Sequence, residues 1–375
     1  MTLLPLDAVR SRIEFGSPLP FGIRDDRGRL LLASGRIIED LAQFEALLER
    51  GAFVERGEAF PEEAVANASP GELPRLWGES AGRLGKLLRG PPDGDNYANS
   101  LDETARPISA LIERDPDLAI YEVLRGEDAG YGGHAERRSV SAGIAASLAA
   151  QVLNWGPAER QRAFRATLTM NLALNELMNQ LATQTTPVTP AQREQIHAHP
   201  ERSVMVLEAA GVADADWLHA IRFHHAFDDA DGYPKGASGV SELAMLLQRC
   251  DRYTAKLSAR ATRPALAPDV AARQMFQAER ANPLTAALVK SFGLYPPGTS
   301  VRLASGELGI AVRRGESANT PLVAALVNRA CEAMLTPLPR HTARKEHAVV
   351  AVVPAAAVKV RFGPQQLAAI LAASA

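Results

Sequence analysis

The sequence predicts a mainly α protein, with a central helical domain flanked by a small N-terminal α/β module and a small C-terminal β-rich domain. Three observations carry this. Between residues 105 and 292 apolar positions recur at helical spacing in one segment after another. Ahead of them, residues 17–35 alternate in a strand-like way and are broken by Gly and Asp. After Phe292, Pro-Gly turns separate short β-favouring runs. The divisions read as 1–56, 57–104, 105–292 and 293–375.

In the first division SPLPFGIRD, the turn DRGR and LLLASG read as strands. IIEDLAQFEALLERG reads as a helix closed by Gly51, with AFVER as a short apolar piece after it. Residues 57–104 are rich in Pro, Gly and acids and read as a linker, with PRLWGESAGRLGKLLRG as a candidate helix. The central helices are expected at SLDETARPISALIERD, SVSAGIAASLAAQVLNW, AERQRAFRATLTMNLALNELMNQLA, TPAQREQIHAHPERSVMVLEAAG, ADWLHAIRFHHAF and SELAMLLQRCDRYTAKLS. Thr189 and Pro190 form a helix start, Thr as N-cap and Pro in the first turn. Near the C-terminal end, VRL and LGIAV suggest a hairpin, HAVVAVVP and VKVRFG further strands, and PQQLAAILAAS a closing helix.

Composition excludes several classes. Lys and Arg total 41 against 43 Asp and Glu, so no basic footprint for nucleic acid or anionic membrane is expected. Two cysteines, Cys250 and Cys331, are too few for a disulfide framework or a thiolate cage, which fits a reducing compartment. There is no run of about 18 uncharged apolar residues and no cationic-then-apolar start. A cytoplasmic protein without membrane insertion is expected.

The chemistry concentrates in HHAFDDADGYPKG, residues 224–236, and in its neighbours TPAQREQIHAHP and RCDRYTAKLSARATR. Together these resemble the HD-GYP family of bacterial signalling phosphodiesterases. That family's pattern reads HHxxxDGxGYP, then a helix with ADVYDALTSDRPYR, and upstream TPEEWEIMKxHP. The resemblance covers residues 105–290 and implies an HD-type helical domain. It places His199, His224, His225 and Asp251 at metal-ligand positions. It sets Arg260 and Arg263 beside substrate phosphates, and Gly232, Tyr233 and Pro234 on a loop that docks diguanylate cyclase domains. The C-terminal GLYPPGTSVRLASGE is similar to the β appendage on many of these proteins.

The same register exposes departures. Where the family has AALLHDIGK this chain has ATLTMNLAL, so Met170 and Asn171 replace the His-Asp pair and Leu174 the lysine. Arg138 stands at the first histidine position, His134 at the acid often found four residues before it, and Thr254 at the aspartate of YDA. The family hydrolyses a phosphodiester with two or three close metals that turn water into hydroxide at neutral pH. Asn171 offers one neutral oxygen in place of a bridging carboxylate, and an inward Arg138 would repel a divalent ion.

Two readings of the histidines stand side by side. Three neutral imidazoles could hold a single, weakly bound transition metal (iron, manganese or zinc), with Asp251 as ligand or orienting group. Alternatively no metal binds and the histidines hydrogen-bond among themselves. The remaining histidines, His134, His197, His219, His341 and His347, read as ordinary; His134, close in sequence to Arg138, could face the old metal cavity but reads first as a surface residue. The resulting expectation is a catalytically inactive HD-GYP protein serving as a binding or scaffold module in cyclic di-GMP signalling. Candidate partners are cyclic di-GMP itself and a diguanylate cyclase domain or another signalling protein. The alternative is a metal-dependent phosphodiesterase or phosphohydrolase with a reduced site.

Overall fold

The computed structural model describes residues 2–17, 19–90, 97–126, 132–226, 232–236, 238–279, 282–358, 360, 363, 366–367 and 369–370. At the N-terminal end β1 (Leu3–Pro5), β2 (Ile23–Arg24), β3 (Leu30–Leu32) and β4 (Phe53–Glu55) form an antiparallel sheet in the order β1-β4-β2-β3. Helix α1 (Leu41–Glu49) begins where the Asp40 side chain accepts the Gln43 N–H, later than periodicity alone suggests. Phe21, Ile23, Phe44 and Val54 close a core belonging to this module.

The stretch expected as a linker carries three helices, α2 (Arg56–Ala59), α3 (Pro61–Asn67) and α4 (Leu73–Arg89). Trp77, Ala81, Leu84 and Leu88 form one stripe of α4 and enter the same core as the central helices. The candidate helix PRLWGESAGRLGKLLRG is α4, and Pro61, one of the prolines that suggested a linker, opens α3; both Pro61 and Pro74 lie in first turns, where a missing N–H costs nothing. Most of RGPPDGDNY lies outside the described residues.

The central part is helical throughout: α5 (Tyr97–Arg114), α6 (Pro116–Arg125), α7 (His134–Val152), α8 (Pro157–Thr169), α9 (Asn175–Thr183), α10 (Pro190–Ala209), α11 (Ala215–Phe223), α12 (Glu242–Leu257), α13 (Pro268–Ala278) and α14 (Pro283–Phe292). Helix α7 is buried nearly all round, which explains its run of Ala, Ser and Gly. Gly143 allows α8 to approach, since a Cβ there would lie 2.7 Å from the Phe164 ring. Thr189 and Gln192 form a reciprocal capping box at the start of α10, as the Thr-Pro pair suggested.

The single helix expected over 158–182 is broken after Thr169. Asn171 leaves helical geometry (φ −108°, ψ 12°), and the Ala173 N–H is taken by the Ser203 hydroxyl of α10. The break sets Asn171 in the lining of a pocket.

After α14, β5 (Ser300–Leu303), β6 (Leu308–Arg313), β7 (Leu322–Val327), β8 (Ala333–His341) and β9 (Val349–Val352) form an antiparallel sheet in the order β8-β7-β6-β5-β9. The expected hairpin is β5–β6, and HAVVAVVP supplies β9. Strand β7 is buried along its length, so it lacks the alternation that would have marked it. Strand β8 lies at the sheet edge and carries Pro337 and Pro339, which lowers its strand signal. Arg314 ties this sheet to the helices through Asp117 (2.5 Å) and the Ser291 carbonyl (2.8 Å). The expected strand VKVRFG and closing helix PQQLAAILAAS fall largely outside the described residues, though Leu367 and Ile370 are buried in the helical core.

Candidate functional site

The site begins with a proline. Pro200 lies inside α10 and has no N–H to give to the carbonyl of Ile196, four residues earlier. That carbonyl is taken instead by His199 Nδ1 at 2.5 Å, with the Tyr233 hydroxyl at 3.4 Å. A second freed carbonyl, that of Ile221, arises because α11 ends at Phe223; it is met by His224 Nδ1 at 2.6 Å. A carbonyl only accepts, so both Nδ1 atoms carry the proton and both Nε2 atoms carry a lone pair. Those two Nε2 atoms face each other at 3.3 Å in a fully buried position.

Two acceptors at this distance do not bond to one another. The separation equals that of two nitrogens on a tetrahedral ion with bonds of about 2.0–2.1 Å. His225 completes a group of three whose ligand atoms all lie within 4.8 Å of one another. Burial, reinforced by the neighbouring imidazole, lowers the pKa of His199, His224 and His225 to about 3, so each is neutral at pH 7. Neutral imidazoles are what a transition metal requires, and the donor set fits one.

Asp251 does not join the group of three. Its Oδ1 accepts from Arg138 Nη2 at 2.5 Å, and its backbone carbonyl lies 3.2 Å from the same nitrogen. Arg138 is 4% exposed, and its Nε and Nη1 find no partner among the described residues. The guanidinium thus points inward and binds the carboxylate that the family resemblance placed at a metal-ligand position.

A pocket of about 150 Å³ opens beside these groups. Its lining unites Arg138, Asn171, His199, His225, Asp251 and Arg260 from five separate stretches of chain. Met170 is fully buried in the helical core instead. Leu174 adds an apolar wall, and Thr254 satisfies its hydroxyl on the Cys250 carbonyl within α12. Arg263 is outside the lining: it donates to the Ala255 carbonyl near the end of α12.

Two expectations change. His134 is 8% exposed and lines the pocket; burial, then the nearby Arg138, lowers its pKa to about 4. Its place follows from standing one helical turn before Arg138 on a helix buried nearly all round. Tyr233 is not an exposed tip. Its ring stacks between His197 and His225, each at 4.7 Å between centroids, because its hydroxyl seeks the carbonyl freed by Pro200. Gly232 is buried, leaving Pro234 as the exposed member of the turn. Residues 227–231, with Asp228, Asp229 and Asp231, lie outside the described residues.

Residues 122–283 match the family model described as HD domain. A segment of 133 residues is 32% identical to the cyclic di-GMP phosphodiesterase PA4108 of Pseudomonas aeruginosa, covering 34% of this chain and 32% of that protein. The chain therefore matches about a third of the length of this curated relative. A solved structure, Bd1817, an HDG"Y"P protein from Bdellovibrio bacteriovorus, is similar with a TM-score of 0.49 and 13% identity, over 77% of this chain and 98% of that one. No described helix is long and apolar enough to cross a membrane.

Proposed function

We propose that this chain is a non-hydrolytic HD-GYP-type protein that acts as a binding module in cyclic di-GMP signalling. The observation that carries the reading is the Arg138–Asp251 pair. A guanidinium lies where a multinuclear centre would need a ligand, and it withdraws from that centre its remaining carboxylate among the described lining residues. Asn171 and Met170 support the same reading, the first as a neutral amide and the second as a buried thioether in the core. Cyclic di-GMP and a signalling protein such as a diguanylate cyclase domain are the proposed partners, with Pro234 as the exposed member of the docking turn.

A second reading is favoured by the facing Nε2 atoms of His199 and His224. With His225 they would hold one metal ion, which when bound would supply Lewis acidity and lower the pKa of a water. In that reading Arg138 and Arg260 position a phosphate, and Tyr233 and the Ile196 carbonyl fix the imidazoles.

The test combines elemental analysis of freshly purified protein with a cyclic di-GMP binding and turnover assay under manganese, iron and zinc. At most one metal per chain and binding without turnover are expected. Robust turnover abolished by His224→Ala would replace the first reading with the second.

A further inference from the structure

We propose that the pocket is a metal-independent site for a phosphoryl oxyanion held by Arg138 and Arg260. This deepens the reading above, on which it rests for the pocket's role. Two cations and one carboxylate line the pocket among the described residues. Asp251 neutralises Arg138 through Nη2 alone, while Nε and Nη1 stay buried and without partners among the described residues. Buried guanidinium donors without acceptors are costly, and an oxyanion is the acceptor such donors take most strongly. Arg260, half-buried at the same lining, has no side-chain ion pair among the described residues, and burial, then the nearby Arg138, disfavours its charge more than Asp251 supports it. Among the described lining residues nothing repels an anion except Asp251, which is already engaged.

Size limits the occupant. At about 150 Å³ the pocket is smaller than the ~300–1,000 Å³ of sites that enclose a drug-sized ligand. It takes a phosphoryl group, free or at the end of a longer molecule whose remainder stays outside. Leu174, Met178, Leu181 and Ile196 form the apolar part of the wall and exclude water around the cations, which strengthens their pull on the anion.

The test is calorimetric titration of the full chain in EDTA with inorganic phosphate and, separately, with a 5′-phosphorylated guanosine dinucleotide and cyclic di-GMP. Binding of phosphate, or of the dinucleotide more tightly than the cyclic compound, is expected, and which of them binds names the source. Loss of one charge-assisted hydrogen bond should weaken binding about tenfold or more in Arg138→Gln and in Arg260→Gln. Absence of binding by both phosphate probes would overturn the proposal. So would unchanged affinity in Arg260→Gln, which decides the matter should Arg138→Gln fail to fold. Because the titration excludes metal, turnover by metal-loaded protein would overturn the non-hydrolytic reading alone.

Discussion

Arg138 of α7 and Asp251 of α12, 113 residues apart in sequence, are joined by an Nη2–Oδ1 contact of 2.5 Å in the lining of the pocket. Removing the acid leaves a guanidinium that is 4% exposed without its counter-charge. Asp251→Ala should therefore cost about 3–5 kcal/mol of stability. Urea unfolding followed by circular dichroism measures it; a loss under about 1 kcal/mol, the range of surface pairs, would mean that the pair is solvated.

Metal content should respond to the three replaced positions together. The wild type is expected to purify with no more than one transition metal per chain. Arg138→His with Met170→His and Asn171→Asp restores two imidazoles and a carboxylate and releases Asp251, so metal content should rise above one. Because Met170 is fully buried in the core, the triple variant should also be less stable. Unchanged elemental analysis in a folded triple variant would show that these positions do not govern metal binding.

Gly143→Ala should destabilise by about 1–3 kcal/mol, the usual cost of overpacking. The new Cβ would meet the Phe164 ring at 2.7 Å, and that ring is held in the core between α7 and α8. Thermal unfolding measures the cost, and pairing the change with Phe164→Leu should recover part of it.

Acid should weaken the fold partly through His134. Its pKa falls from 6.5 to about 4 on folding, so between these values the unfolded chain binds the extra proton. The stability it contributes is complete above pH 6.5 and is lost as pH drops toward 4. In His134→Asn the fall in stability across this window should be shallower, while the slope from the three clustered histidines persists. Identical pH profiles for the two proteins would remove His134 from the account.

Helical periodicity, the Thr189 cap and the ordered motifs HAHP, HH and GYP are local properties of the chain, and they made the helical class and the histidine positions legible. The same local reading found α4 within the supposed linker but took Pro61 as a linker mark, because composition alone does not tell a helix-opening proline from a loop proline. It missed β7, whose two buried faces erase alternation, and β8, whose prolines suit only an edge. Nor could it foresee that Pro200 frees the Ile196 carbonyl for both His199 and Tyr233, which draws the tyrosine inward. The sequence by itself determined which residues could bear charge or ligate a metal. Only the tertiary structure decided that Asp251 serves Arg138 and that His134 faces the pocket, because both outcomes depend on α7 and α12 burying their polar groups against each other, where each must find a partner.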